Sequence, residues 1–379
     1  MTWSLLHSAA GFTLALLAQR PDSSALARAL DRYRALAADS SVPAFVPPVG
    51  VVRPGGTLAS ARALRARLAV LGDLDSASAA DSCSCYDGTL VEAVRRFQRR
   101  HGLEPDGVIG RATSAALAVP LAERADQLAL ALELIRQEPP VAGGPYIVVN
   151  VPAFRLFAYD GTATDTAPAL DMKVVVGRAR VSPTPSIIEE LEYLDFWPYW
   201  RVPPSIVRGE MVPAMRRDSA YLRRHHLELV RGANEAVGDS VSPAVIDALR
   251  AGTLGLRQRR GPANALGRVK FVIPNMQEIY LHDTPERALF AEVRRDFSHG
   301  CIRVERAREL AIWAMRDHTG WTADSVDAVM SGPVQFRRVM LPRPIPVIVE
   351  YVTAMATPDG TVWFLPDIYG REAGRQNGW

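Results

Sequence analysis

Two kinds of apolar spacing, divided at a Pro- and Gly-rich junction, constrain this chain more than anything else in its sequence. From Leu58 the apolar residues recur as Leu58, Ala61, Leu64, Leu68 and Leu71, the spacing of one helix face. A second face follows with Leu90, Ala93, Val94 and Phe97. A Gly-rich turn, Asp106-Gly107-Val108-Ile109-Gly110, then leads to a short third helix through Leu117. Three short helices in about sixty residues predict a small independent module. Pro120 closes it, and a longer helix follows with Leu121, Ala125, Leu128, Leu132 and Ile135 on one side. Pro139-Pro140 and Gly143-Gly144 mark a linker. Beyond it the texture is that of strands: 146–150, 154–159 ending at Asp160-Gly161, 172–176, 269–273, 278–281, 346–351 and 362–365. Between Pro204 and Pro262 the pattern turns helical and polar, which predicts an insertion with room to form a lid.

The charge balance excludes one class of partner. Lys and Arg number 44 against 41 Asp and Glu, a formal net charge of +3, too mild for a nucleic-acid surface. Lys occurs only at Lys173 and Lys270, and paired arginines such as Arg95-Arg96 sit where a helix is solvated. The apolar run Trp3 to Leu17 is shorter than the ~20 residues of a bilayer span and suits the core of a secretory signal, so export is the expectation. Cys83 and Cys85 flank one Ser in a polar loop and read as a structural or idle pair, with no further ligands nearby for a metal.

Cys301 keeps different company, in Phe297-Ser-His-Gly-Cys-Ile-Arg-Val304. A thiol is a nucleophile as thiolate, and its pKa of ~8.5 falls near His, Arg or a helix N-terminus. His299 precedes it by two residues, Arg303 follows by two, and a helix is predicted from about Glu305. Gly300, lacking Cβ, lets a substrate carbonyl approach backbone N–H groups that hold an oxyanion. His282, ending a strand in Tyr280-Leu-His-Asp-Thr-Pro285, is assigned as general base, and His299 a supporting role at the oxyanion site. Asp283 is a candidate to orient His282 and equally a turn former. His225-His226 read as a solvated helix face, while Trp197, Tyr199 and Trp200 are cleft candidates that read as core more readily.

The string Ser298-His299-Gly300-Cys301-Ile302-Arg303 with the upstream His282 closely resembles the L,D-transpeptidase catalytic signature. Val175-Val-Gly-Arg178 with Thr184-Pro185, Tyr199-Trp-Arg-Val-Pro-Pro-Ser-Ile206, Gly261 to Gly267 and Pro274-Asn275 resemble the larger, scaffold-bearing branch of that family. Phe97-Gln98 and Asp106 to Gly110 resemble its three-helix peptidoglycan-binding domain. The resemblance implies an α+β chain. A mixed β-sheet or sandwich-like catalytic domain with a helical lid insertion follows a small three-helix domain. The expected division is 1–20 signal, 21–54 helical scaffold, 55–119 peptidoglycan-binding domain and 120–144 helix and linker. The catalytic domain takes 145–325, with its lid at about 205–262, and 326–379 supplies strands that complete it.

The same resemblance implies a site and a reaction. Tyr280, Asn275, Trp200 and Arg303 are expected to bind substrate, Arg303 as a loop brace or carboxylate contact, or else as a salt bridge to Glu305 or Glu309. Cys301 attacks the third residue of a donor stem tetrapeptide, expels the terminal D-alanine, and passes the acyl group to an acceptor amine. No cofactor and no metal is called for. The expected partners are peptidoglycan stem peptides and, through the three-helix module, glycan. The chain is expected to act as a monomer in the periplasm or cell envelope. Two rivals use the same residues differently: an L,D-carboxypeptidase or hydrolase with water as acceptor, and a non-catalytic wall-binding scaffold.

Overall fold

The computed structural model describes residues 23–80, 83–137, 143–161, 168–232, 235–357 and 359–372. The apolar run Trp3 to Leu17 and Pro139-Pro140 lie outside them. Helix α1 (Ser23–Ala38) precedes α2 (Ala61–Leu71), α3 (Gly88–Arg100), α4 (Arg111–Ala118) and α5 (Leu121–Gln137). Each boundary has a local cause. Asp87 caps α3 by accepting from the Leu90 N–H at 3.0 Å, and Gly72 ends α2 in the left-handed region at φ +88°. Gln98, 1% exposed, explains the Phe97-Gln98 pattern. Its amide holds the Asp106–Gly110 turn, donating to Asp106 Oδ1 and the Val108 carbonyl and accepting from the Gly107 N–H. Cys83 and Cys85 form a disulfide. The buried Arg65 pins that loop through both cysteine carbonyls and Asp87.

The part beyond the junction is built on a nine-stranded mixed sheet. Its strands are β1 (Tyr146–Asn150), β2 (Arg155–Tyr159), β3 (Leu170–Gly177), β4 (Ile187–Phe196), β9 (Val269–Val272), β10 (Leu281–His282), β11 (Asp296–Ser298), β12 (Ile302–Val304) and β13 (Arg337–Glu350). Their order is β11-β3-β12-β10-β9-β4-β13-β1-β2, and a further β2–β3 pairing closes all but β11 into a ring. Inward residues such as Leu156, Val174, Leu194, Phe271, Leu281 and Ile302 are fully buried. Helices α8 (Ala307–Ala314) and α9 (Ala323–Ser331) pack on this core through Leu310, Trp313 and Val326.

Two expectations need correction. The insertion carries helices, α6 (Val212–Arg217) and α7 (Pro243–Ala251), but it also carries strands. Its β6 (Leu227–Arg231), β7 (Glu235–Gly238) and β8 (Gly255–Gln258) join β5 (Trp200–Arg201) in a four-stranded sheet, with an apolar cluster of its own that includes Ile206, Leu222 and Leu256. Short strands with an exposed edge such as β7 lack the alternation that marks a half-buried strand, so the segment reads as helical and polar.

Residues 326–379 do not all complete the catalytic domain. Strand β13 runs through the sheet beside β1, but β14 (Ala354–Ala356) and β15 (Val362–Phe364) form a hairpin inside the helical core. Phe364 meets the Tyr33 ring at 5.2 Å, and Gln127 donates to the Thr353 and Leu365 carbonyls. Residue spacing cannot tell which apolar surface a hairpin joins.

The buried pair Arg100–Asp73 sits at that junction, with the guanidinium also donating to the Val362 carbonyl at 3.1 Å. Asp73→Ala leaves Arg100 charged and uncompensated, and is expected to lower stability by about 3–5 kcal/mol. Denaturant titration checks this, and a loss under about 1 kcal/mol would contradict the buried-pair account.

Candidate active site

The candidate residues converge because of one parallel register. In β10 and β12, Leu281 pairs with Ile302 and His282 with Arg303. Paired residues on neighbouring strands share a face, and successive residues alternate. Leu281 and Ile302 point into the core, 0% exposed, so His282 and Arg303 take the opposite face. One step back, Tyr280 and Cys301 take it with them, since the Ile302 N–H donates to the Tyr280 carbonyl at 3.1 Å. The insertion covers this face. Between them lies a cleft of about 360 Å³ lined by Trp200, Tyr221, Tyr280, His282, Cys301 and Arg303, among others.

The turn before Cys301 is held without strain on a side chain. Gly300 has φ +114°, a region L residues rarely adopt. Its N–H donates to Ser298 Oγ at 3.1 Å, and its carbonyl accepts from Thr184 Oγ1 at 2.7 Å. Thr184 in turn accepts from the Gly177 N–H at 2.8 Å. At Gly177 a Cβ would lie 2.0 Å from the Ser182 carbonyl oxygen and 3.0 Å from Gly300 Cα, so β3 approaches the turn as closely as it does only because no Cβ intervenes.

The electrostatics differ from the expectation. Cys301 was expected to be acidified by His299, Arg303 and a helix N-terminus. Strand β12 separates it from α8, so that helix does not begin at the sulfur. His299 points away, its Nε2 2.6 Å from Glu210 Oε1 in the insertion and in contact with Arg178. Burial pushes the thiol above its ordinary value, and the groups that oppose this are the Tyr280 N–H and phenol, then Lys270. Cys301 Sγ itself donates to the Glu278 carbonyl at 3.7 Å. Glu278, at φ +54°, offers that carbonyl from the left-handed region.

His282 is buried, at 5% exposure, and burial together with Arg303 lowers its pKa to about 3, with Lys270 adding to the effect and the hydrogen bond to the Asp283 carbonyl opposing it. The ring is therefore neutral. Its Nδ1 lies 2.6 Å from the Asp283 carbonyl oxygen, which can only accept. Nδ1 thus carries the hydrogen and Nε2 the lone pair. The Asp283 carboxylate, a candidate orienter of His282, instead caps the Arg268 N–H at 2.9 Å, so it is the backbone of Asp283 that fixes the ring.

Other candidates divide. Arg303 pairs with Glu286 rather than Glu305 or Glu309, and lines the cleft. Trp200 and Tyr280 also line it. Asn275 does not: its amide donates to the Ile273 and Ile279 carbonyls and accepts from the Ile279 N–H, bracing the turn below. Trp197 is core, donating to the Val329 carbonyl. Tyr199 carries the Arg257 and Arg260 guanidiniums on its ring. His225 is exposed as expected, but at the cleft mouth beside Tyr221.

Sequence reading missed Lys270, Glu210 and the role of Arg178. Glu210 is held below the usual carboxylate range: burial raises it, but hydrogen bonds from His299 and Arg178 outweigh burial. Nothing in local spacing marks Glu210, whereas Lys270 stood out as one of only two lysines. Among the described residues, no helix is long and apolar enough to cross a membrane.

Comparison with known proteins agrees with this geometry. Residues 144–335 match the family model for the L,D-transpeptidase catalytic domain, and residues 58–117 match the model described as "Putative peptidoglycan binding domain". A Haemophilus influenzae protein named "Putative L,D-transpeptidase" is 32% identical over 253 residues, covering 64% of this chain and 47% of the relative. The chain thus spans about half the length of the curated relative it matches. Among solved structures, an L,D-transpeptidase from Xylanimonas cellulosilytica is 15% identical at TM-score 0.24, covering 81% of this chain and 100% of that one. L,D-transpeptidase 3 from Mycobacterium tuberculosis, with a faropenem-derived adduct, is 15% identical at TM-score 0.25, covering 55% and 61%. At such scores the weight rests on the family match, which spans half of this sequence. The chain belongs to the L,D-transpeptidase family, with a YkuD-type catalytic domain.

Proposed function

We propose that the chain cross-links peptidoglycan stem peptides through a thioester on Cys301, with His282 as general base and acid. The observation that carries the reading is the β10–β12 register, which brings Tyr280, His282, Cys301 and Arg303 to one face under the insertion. At rest both partners are neutral: a thiol raised by burial and an imidazole with its lone pair on Nε2. The proton therefore moves as the bond forms.

Sγ attacks the carbonyl carbon of the donor's third residue, a diamino acid, while Nε2 takes the thiol proton. The carbonyl oxygen becomes an oxyanion, for which the Tyr280 phenol and the Cys301 N–H are the donors left available. Collapse breaks the amide bond, and the departing D-alanine amine takes the proton from Nε2. The thioester retains the acyl group without a nucleotide. An acceptor amine then attacks, gives its proton to Nε2, and expels the sulfur, which is reprotonated. Arg303 holds a substrate carboxylate by exchange with Glu286, which is exposed and easily displaced. His299 acts here as a tie to the insertion through Glu210 rather than as an oxyanion donor.

The three-helix module would retain the enzyme on glycan, and the substrate places the work in the cell envelope. Incubation with disaccharide tetrapeptide, read by mass spectrometry, tests the proposal. Cross-linked dimers are the expected product. Tripeptide alone would replace the reading with a carboxypeptidase, and no product with a scaffold role.

A further inference from the structure

We propose that Lys270 is a positioning residue of this site: its ammonium, seated on the face of the Tyr280 ring, aims the phenol at Cys301 Sγ and supplies the positive charge a thiolate there requires. The inference rests on Cys301 being the reactive group, as proposed above. Its starting point is the row of side chains that crosses the outer face of the sheet. Arg338 pairs with Asp195, Asp195 with Lys270, Lys270 with His282, and His282 with Arg303, one residue from each of five consecutive strands. Within that row every other charge has a carboxylate or guanidinium of its own. Arg338 grips both oxygens of Asp195 at 2.7 and 3.0 Å, and Arg303 holds Glu286.

The Lys270 ammonium makes no hydrogen bond among the described residues. Its Nζ instead stands 3.8 Å from the centre of the Tyr280 ring. A cation over an aromatic face draws on the ring's electron density, which fixes the ring and makes its O–H a stronger donor. Burial pulls the ammonium below the usual lysine range, while the thiol and Asp195 draw it back. A partly buried charge without a carboxylate in hydrogen-bond contact is stabilised when an anion forms beside it. Ionisation of Cys301 provides that anion. The chemistry of the side chain fits: a point charge on a flexible stem sits over the ring face, whereas a guanidinium would stack flat on it. In a chain whose other basic residues are nearly all Arg, this position keeps a Lys.

The other charged and titratable groups around the sulfur are Tyr280 and His282 from β10, Arg303 from β12 with its partner Glu286, Glu278 from the preceding turn, His299 held to Glu210, and Tyr221 and His225 from the insertion. His282 is neutral throughout the working range, so it does not set the thiol's ionisation from below.

The test is the pH dependence of Cys301 alkylation by iodoacetamide, measured on the full chain with Cys301→Ala as the blank. Lys270→Met is expected to move the inflection upward by about one pH unit, a roughly tenfold slower reaction below it. Lys270→Arg should recover part of the shift. Tyr280→Phe should move the inflection in the same direction, and adding Lys270→Met to it should do less than in the wild type, because the lysine acts partly through the ring. An unchanged inflection in folded Lys270→Met overturns the proposal, as do strictly additive shifts. Lys270→Gln serves if the Met variant does not fold. Alkylation needs no wall peptide, so the readout is independent of the cross-linking assay: a shifted inflection in a chain that forms no dimers sinks the function and leaves Lys270 its role, and dimers without a shift do the reverse.

Discussion

Cys301→Ala is expected to abolish acyl transfer, lowering the rate of dimer or tripeptide formation by about four orders of magnitude or more. The reason is chemical. Every other group in the cleft binds, orients or moves a proton, and the proposed nucleophile is the free cysteine among the described residues, Cys83 and Cys85 being joined to each other. The fold should be indifferent to the change. The cysteine is partly exposed and Sγ donates one long hydrogen bond to a carbonyl, so the fold does not depend on it, although the Tyr280 donors lose the sulfur as a partner. Thermal midpoints within a degree or two of wild type are expected. A carbapenem should add its acyl mass to the intact wild-type chain and not to the variant. An adduct that persists in Cys301→Ala would mean that another residue carries the chemistry.

The second large effect is expected at His282. His282→Gln keeps a hydrogen-bonding side chain of similar reach but removes the base, and should cost about 10²- to 10⁴-fold in turnover. It should also alter the dependence of stability on pH, in a direction the burial fixes. The folded imidazole has its pKa depressed to about 3 from an ordinary 6.5, so below 6.5 the unfolded chain binds a proton that the folded chain refuses. The stability associated with this residue is complete above about pH 6.5 and is lost as pH falls toward 3, on the order of 5 kcal/mol in total. The Gln variant lacks that loss. Its unfolding free energy should fall less steeply between pH 6.5 and 4 than that of the wild type. His101 stays as a second source of acid sensitivity, its pKa lowered by burial and by the neighbouring Arg100 and Arg124. Equal slopes in the two proteins would mean that His282 is not the buried neutral ring described above.

The sulfur illustrates how far local reading reaches. The string from Ser298 to Arg303 singled out Cys301 as the candidate through its resemblance to the family signature, with His and Arg at hand to acidify a thiol. The same neighbours misled about how it is tuned. Residues two apart along a strand share a face, which suggested that His299 and Arg303 act on the thiol, but the turn at Gly300 swings His299 toward Glu210. The groups that do act on it, Tyr280 and Lys270, lie on neighbouring strands and come into reach only through pairing.

Sequence alone determined what is carried by periodicity and short motifs. Four of the helices before the junction, about half of the strands after it, the Gln98-braced glycine turn and Cys301 and His282 as candidates are written in spacings and strings of a few residues. Tertiary structure decided what depends on surfaces meeting across long separations. It placed the β14–β15 hairpin in the helical core, gave the insertion a sheet, withdrew Asn275 from the cleft and set Lys270 over Tyr280. The physical reason is the same in each case. An apolar or charged side chain states that it needs a partner, but which partner is fixed only when burial and strand register bring the two within contact distance.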